Sequence, residues 1–325
     1  MKFIDSKTVD PYFNLAAEEF LLRNPGEEVC MIWQSSNAVI AGKHQNILAE
    51  INFRKASDNN IIMARRITGG GAVYHDKGNI NFSFIKNGRP GNMINFEDNI
   101  APIIEFLDKY GLEAYKGPKN EIMTGGRKIS GNAEHIYKNR LLHHGTLLFD
   151  SDLEVLNGII DRQSGYYTDR SVNSNKSTVA NIRDCLTVAI SQESFTKDLK
   201  DFLLNCFKAE YYELNRPEVN AIRELAVNKY ASWEWIFGWS PDYEFTNVFR
   251  QKEIEIGIEM KIHRGIIVHL QLVSESLDKE KLDTLSRLFM NRTHSLQTVR
   301  SLISVSFLKD LISPYDLEDL IFSFF

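Results

Sequence analysis

Residues 64 to 84, ARRITGGGAVYHDKGNINFSF, set two arginines and a threonine against three consecutive glycines, with strand-forming residues on both sides. No other stretch of the 325 residues restricts the fold as much. Bare glycine lets backbone N–H groups approach an anion without Cβ interference and allows positive φ. Known phosphate loops do not fit. A P-loop needs a Lys-Ser/Thr pair opening a helix, and here Ala-Val-Tyr-His-Asp follows instead. A dinucleotide fingerprint needs a helix after the glycines, whereas strand pattern lies on both sides here. Two readings stay open: a tight β-turn or bulge, and an anion pocket. Adjacent strand residues point to opposite faces, so one of Arg65 and Arg66 is expected to face the pocket and the other to be solvated. Arginine suits bidentate contact with carboxylate or phosphate.

Composition narrows the class. Apolar residues make up 43% and charged residues 25%, which suits a globular chain and excludes wholesale disorder. A net charge of −5 leaves no basic footprint for nucleic acid. No apolar run reaches the roughly 20 residues of a membrane span, so no membrane partner is expected. The start, MKFIDSKTVD, does not read as a signal peptide. Cys30, Cys185 and Cys206 are odd in number and scattered, which predicts free thiols in the cytoplasm.

Periodicity predicts a helix over 10 to 24, capped by Asp10 with Pro11 first. Two strands are expected around a polar turn in 27 to 42. IIMARRIT and NINFSFI read as a second strand pair around the glycines. A helix over 94 to 111 should stop at Gly111. Residues 114 to 150 read as short strands paired by tight glycine turns. The Ser-, Asn- and Thr-rich stretch 164 to 184 reads as a mobile loop. Helical pattern covers 191 to 211 and 216 to 232, followed by WEWIFGWSP. Ile254, Ile256, Ile258, Met260 and Ile262 then alternate with polar residues, as do Ile266, Val268, Leu270 and Leu272, which predicts a hairpin turning at His263-Arg264-Gly265. With two amphipathic helices after it, this makes a small C-terminal domain of about 80 residues.

Three further places carry chemistry. In GGRKISGNA, Lys128 lies between two glycine turns. It is either a solvated surface charge or a fixed ammonium able to bridge a carboxylate oxygen and an α-phosphate. In LLHHGTLLFD, His143 and His144 point opposite ways, so at most one faces a pocket, and no third ligand stands at a zinc-like spacing. Glu18 sits at the edge of an apolar helix face, as a boundary residue or a ligand contact. Glu19 pairs with Arg23 at i, i+4 and reads as surface. A Ser-His-Asp hydrolase lacks its G-x-S-x-G elbow here, and the cysteines stand outside every glycine motif, which leaves a thiolate nucleophile without a home.

Taken in order, FNLAAEE, RRITGGGAVYHDKGNINFSF, NEIMTGGRKISGNA, HHGTLLFDSDL and WEWIFGWSP resemble the lipoate–protein ligases, over roughly residues 10 to 242. The resemblance implies an α+β fold: a biotin/lipoate ligase-like catalytic domain of mixed sheets with flanking helices over 1 to 245, and a small α+β accessory domain over 246 to 325. It implies ATP-dependent activation of lipoate to lipoyl-AMP with release of pyrophosphate and with Mg²⁺ as cofactor. The acyl group then passes to a lysine of apo lipoyl domains, of 2-oxoacid dehydrogenase acyltransferase subunits or the glycine-cleavage H protein. A monomer is expected. Carried across by position, Lys128 matches the essential lysine that contacts the lipoyl carboxylate and α-phosphate. Glu18, Arg66, Thr68, Gly69, Gly70, Gly71, His144 and Gly145 match the lipoate site. Val73, Tyr74, His75, Asp76, Gly78, Asn79 and Asn120 match the adenylate site, as do Ser174, Ser177, Val179 and Asn181 of a closing loop. Glu121 falls at the metal.

The chain departs from the family pattern in three places. Glu121 stands where aspartate is common. The closing loop reads Ser177-Thr178-Val179 where Ser-Arg-Val is common, one cation fewer. VHLQLVSES replaces a Gly-Asp segment with two aromatics. The competing readings are a transferase that uses preformed lipoyl-AMP or an acyl group from another protein, and a non-catalytic lipoate-binding protein. A cysteine-dependent transferase is disfavoured because no cysteine lies in the matched motifs. A biotin ligase is disfavoured because its Gly-Arg-Gly-x-x-Gly-Arg loop is replaced by Arg-Arg-x-x-Gly-Gly-Gly.

Overall fold

In the strand Asn79–Asn87, side chains alternate between two incompatible environments. Ile80, Phe82 and Phe84 enter an apolar core, while Asn79, Asn81 and Ser83 stand on the opposite face and hydrogen-bond there. A computed structural model describes residues 1–88, 96–161, 166–174 and 177–325 and places this strand inside a six-stranded sheet. The sheet runs Asn132–Tyr137, Arg140–Leu148, Asn79–Asn87, Val29–Trp33, Lys2–Asp5 and Glu210–Tyr211. The first four are antiparallel, and Lys2–Asp5 is parallel to both its neighbours. The helices Phe96–Asp108 and Gln192–Cys206 pack Ile100, Ile103, Phe106, Phe195, Leu199 and Leu203 onto the phenylalanine face. Each of these side chains contributes about 1.5–3 kcal/mol by leaving water.

The expected first helix forms over Pro11–Arg23, with Asp10 accepting from the Tyr12 N–H at 2.9 Å. The expected helix over 94 to 111 forms over Phe96–Asp108, and Gly111 has a φ of +68°; residues 94 and 95 lie outside the described residues. The hairpins in 114 to 150 form as expected. Gly125 and Gly126, both at positive φ, turn Ile122–Thr124 into Arg127–Ser130.

The glycine stretch differs from its expectation. Ile62–Arg65 and Asn79–Asn87 do not pair, because a further strand, Val73–His75, intervenes. Ile62–Arg65 and Val73–His75 flank Ala38–Ala41 in a separate three-stranded sheet, so the glycines connect its two edges and not a hairpin.

The chain divides into two units. One comprises Met1–Lys43, Ile61–Asn157 and Ser174–Ser232, and the other His44–Asn60, Gly158–Asn173 and Trp233–Phe325. The division expected after residue 245 thus falls after Ser232, and two earlier segments join the second unit. The loop expected over 164 to 184 falls partly on 164, 165, 175 and 176, outside the described residues. Within it, Tyr167–Asp169 forms a short strand paired with Tyr243–Gln251. The hairpin is present as Ile254–His263 and Ile266–Val273, turning at Arg264 and Gly265, both at positive φ, but a register shift at Lys261/Ile262 puts Ile267 in the core and leaves Val268 exposed, so the alternation expected from Ile266 holds only at Leu270 and Leu272. Among the elements not anticipated are the strand Tyr243–Gln251, whose Tyr243, Phe245 and Phe249 are buried, and the final helix Pro314–Phe322.

Buried His294 fastens the C-terminal end of the second unit. Its Nε2–H donates to the Phe324 carbonyl (2.7 Å), so Nδ1 accepts from the Tyr243 hydroxyl (2.6 Å), and its ring stacks on Phe325 at 4.6 Å. Burial pushes its pKa down to about 4. The folded value lies below the unfolded one, so the stability it contributes is complete above about pH 6.5 and is lost as pH falls through about 4. Urea titrations at pH 7, 5.5 and 4.5 should show this loss, and His294→Gln should flatten the slope by up to about 1.4 kcal/mol per pH unit. An unchanged slope would assign the acid sensitivity to other groups.

Candidate functional site

Asn81, on the polar face of Asn79–Asn87, lies on the floor of a cavity of about 180 Å³. Register explains the floor: Asn81 lies opposite Trp33 on one side and Thr146 on the other, and Ser83 lies opposite His144. Trp33, Asn81, His144 and Thr146 all line the cavity. Leu15 and Ile40 add apolar wall, and Gly70, Gly71, Ala72, Val73 and His75 bring the glycine loop and the strand after it. Lys119, Glu121, Lys128, Gly131, Asn132, Ala133, Gly145, Ser174 and Ser177 complete the lining.

A buried chain of hydrogen bonds runs beneath this wall. Trp33 Nε1–H donates to Ser83 Oγ (2.9 Å), and the Ser83 hydroxyl donates to Glu18 Oε1 (2.6 Å). The Glu18 carboxylate can only accept, so His144 must hold its proton on Nδ1, 2.9 and 3.1 Å from the two oxygens. His144 Nε2 is then an acceptor and takes the Thr68 hydroxyl proton at 2.8 Å. The Thr68 oxygen accepts Arg66 Nε–H at 2.9 Å. Every group fills one consistent donor or acceptor role, as a buried network must. Carboxylate, imidazole and hydroxyl here have the order of a hydrolytic triad. However, Thr68 is fully buried behind the wall with both its roles taken, so it is a strut and not a nucleophile.

Arg66 carries the chain into the glycine loop. One terminal nitrogen donates to the Gly69 and Gly71 carbonyls (2.7 and 2.8 Å), and the other to Ile40 (3.0 Å). Gly70 adopts a φ of +92°, and a Cβ on Gly42 would lie 2.0 Å from the Gly70 carbonyl oxygen, so both positions require glycine. The expectation that one arginine would be solvated fails. Arg65 is fully buried and donates to the Gly42 and Lys43 carbonyls at 3.0 and 3.3 Å, because the loop's own carbonyls need donors. Burial lowers the pKa of Arg65 to about 9 and that of Arg66 to about 10, so both stay charged at neutral pH.

The charged end of the cavity is built on the hairpin of Ile122–Thr124 and Arg127–Ser130. Lys128 sits over Gly131, where a Cβ would come within 3.2 Å of its Nζ. Burial pulls its pKa down, with Arg66 and Lys119 adding to the fall and Glu121 opposing it. Its backbone is held by the later part of the Ser-, Asn- and Thr-rich stretch: Lys128 N–H donates to Thr178 O (2.9 Å), and Ala180 N–H to Lys128 O (3.0 Å). Glu121 Oε2 is buried without a hydrogen-bond partner among the described residues.

Of the residues expected at the site, Arg66, Gly70, Gly71, Val73, His75, Glu121, Lys128, His144, Gly145, Ser174 and Ser177 meet on the cavity wall. Gly145 belongs there because a Cβ would strike Asn132 Oδ1 at 2.3 Å and the Phe82 ring at 2.4 Å. Glu18, Thr68 and Gly69 support the wall from behind. Tyr74 is buried on the other side of its strand. Asp76 caps a turn, accepting from Gly78 N–H (2.9 Å), Asn79 N–H (3.0 Å) and Asp152 N–H (2.8 Å). Gly78 is pressed against Asp150, and Asn79 bonds Asn81 at 2.9 Å. Asn120, at a φ of +63°, forms the turn before Glu121 and accepts from Asn132 Nδ2 (2.9 Å). Val179 bridges Lys128, and Asn181 clasps Ser151 through two bonds of 2.9 Å. His143 points away from the cavity, stacked on Phe82 and Phe84 and bonded to Glu134 at 2.9 Å. Glu19 pairs with Arg23 as expected, at 2.7 Å, but it is buried and not surface: Lys229 and the Tyr230 hydroxyl also reach it, at 2.6 and 2.7 Å. Trp33, Asn81 and Lys119 were missed. The alternation of NINFSF carried a signal for Asn81, and the adjacency of Lys119 to Asn120 and Glu121 carried one for that lysine.

Cutting the buried chain at Thr68 leaves Arg66 Nε–H and His144 Nε2 unpaired. Thr68→Val should therefore lose about 2–4 kcal/mol in urea unfolding, and Thr68→Ser less than about 1 kcal/mol. A loss in Thr68→Val no larger than that in Thr68→Ser would mean that the hydroxyl is not the strut described.

Residues 10–204 match the family model of the lipoyl protein ligase A/B catalytic domain. Lipoate–protein ligase 1 of Staphylococcus aureus is 32% identical over 324 residues, covering 99% of each chain. The Thermoplasma acidophilum protein Ta0514, solved with bound lipoic acid, superposes with a TM-score of 0.62 at 26% identity, covering 73% of this chain and 98% of its own. A lipoate–protein ligase A solved with ATP superposes at 0.60 with 25% identity, over 73% of this chain and 98% of its own. The chain belongs to the lipoate–protein ligase family.

Proposed function

We propose that this ligase joins lipoate to ATP in the cavity of its larger unit and passes the lipoyl group to a lysine of an apo lipoyl domain, in the cytoplasm. The observation that carries the reading is the half-buried ammonium of Lys128, which lines the same cavity as Glu121 and the glycine loop. In the first step a lipoate carboxylate oxygen attacks the α-phosphorus, the bond to the bridging oxygen breaks and pyrophosphate leaves. Lys128 neutralises charge shared by the carboxylate and the α-phosphate, in a site where low dielectric strengthens the interaction. In the second step an acceptor lysine amine attacks the acyl carbonyl and AMP departs.

The acyl chain lies along Trp33, Leu15, Ile40 and the glycine loop, which His144 and Glu18 hold in shape. The adenylate lies toward Val73, Lys128, Ser174 and Ser177. Tyr74, Asp76, Gly78, Asn79, Asn120, Val179 and Asn181 serve it by fixing the turns and strands on which the contacting residues stand. The smaller unit is accessory.

Magnesium fits the donors present. Among the described residues Glu121 offers a buried carboxylate oxygen without a hydrogen-bond partner, and no three His, Cys, Asp or Glu gather into a metal cage. That suits an ion held by one carboxylate and by substrate phosphates. When bound, Mg²⁺ would neutralise phosphate charge beside Lys128.

The test incubates the protein with lipoate, Mg-ATP and an apo lipoyl domain and follows pyrophosphate and acceptor mass together. Both should appear, and Lys128→Ala should lower pyrophosphate release by at least about 10²-fold without changing the thermal midpoint. Modification of the acceptor only when lipoyl-AMP is supplied would replace this reading with that of an adenylate-using transferase.

A further inference from the structure

Three residues with strongly basic side chains line the cavity among those described: Arg66, Lys119 and Lys128. Their circumstances differ. Arg66 spends its guanidinium on three backbone carbonyls and Thr68 and belongs to the framework of the glycine loop. Lys128 is largely enclosed over Gly131. Lys119 is exposed, at the edge of the wall. It is also anchored well. Its turn is closed by Gly117 N–H to Glu121 O (2.8 Å) and Asn120 N–H to Gly117 O (3.3 Å), and Asn132 ties the Asn120 carbonyl to the strand Asn132–Tyr137. Gly117 admits the Glu121 side chain against it, since a Cβ there would lie 2.8 Å from Glu121 Oε1. A cation on a rigid turn, two residues before the carboxylate and on the same wall as Lys128, faces the same ligand.

We propose that Lys119 binds the β- and γ-phosphates of ATP and takes up the charge of the departing pyrophosphate. The inference rests on the ligase reading above. In adenylation the bond from the α-phosphorus to the α,β-bridging oxygen breaks as the bond to the lipoate carboxylate forms, and both bonding electrons leave with pyrophosphate. Negative charge therefore grows on the side away from the carboxylate. Lys128 serves the attacking carboxylate and the α-phosphate, and Arg66 has its N–H groups committed elsewhere. Lys119 remains for the leaving group. Its exposure suits an ion that must escape to water, and a flexible ammonium can follow the departing phosphates without holding them in one geometry. A compact point charge of this kind recognises phosphate through its net charge.

The two half-reactions separate this role from a structural one, because pyrophosphate takes part only in the first. For Lys119→Met, kcat/KM for ATP in pyrophosphate release with lipoate should fall at least about tenfold, with KM for lipoate unchanged. Inorganic pyrophosphate, added as a product inhibitor, should lose potency by a similar factor. Transfer from preformed lipoyl-AMP to an apo lipoyl domain should stay within about twofold of wild type, and Lys119→Arg should restore most of the ATP-dependent step. Equal loss in both half-reactions, or no loss with ATP, would overturn the role given to Lys119. Failure of the wild-type protein itself to release pyrophosphate would instead sink the ligase reading.

Discussion

The two-faced strand Asn79–Asn87 is the constraint on which the rest depends. Side-chain period in a strand is two, so a slip of one residue would carry asparagine into the phenylalanine core and phenylalanine onto the cavity floor. Core packing therefore fixes the register of the floor. The floor in turn fixes its neighbours: Ser83 meets Glu18 from the first helix and stands opposite His144. Binding geometry is inherited from hydrophobic burial through the alternation of one strand.

Charge is handled in two ways around the cavity. Arg66 is buried with no carboxylate bonded to it among the described residues; carbonyl oxygens and a hydroxyl satisfy it, and its positive field persists in the wall while its hydrogen bonds shape the loop. Turning the Gly69 and Gly71 carbonyls onto that guanidinium also keeps their oxygens from opposing an anion. Glu121, by contrast, keeps a buried carboxylate oxygen with no hydrogen-bond partner among the described residues, the usual condition of a group whose partner is a ligand.

Much of this was legible in the sequence, for reasons that differ by element. Asp10 and Pro11 announce the first helix by capping chemistry, and glycines at 125, 126 and 265 announce turns through the backbone angles they allow. The partners of Arg65 were not legible, since backbone carbonyls leave no mark in a residue pattern. Glu19 reads as surface from its i, i+4 partner, and only the approach of Lys229 and Tyr230, some 210 residues later, buries it. The glycine stretch reads as a hairpin because its flanks look like strands, but the strand that separates them, Ala38–Ala41, lies upstream. The division between wall and support was also hidden: His75 and Tyr74 are neighbours in the chain, yet one meets the cavity and the other the interior.

The stitching of Lys128 to Thr178 and Ala180 uses only main-chain atoms. Such a bond is indifferent to which side chain each residue carries, so the fixed position of the lysine places no demand on the identity of residue 178. The side chain at residue 178 can therefore be exchanged, its charge included, without moving the lysine.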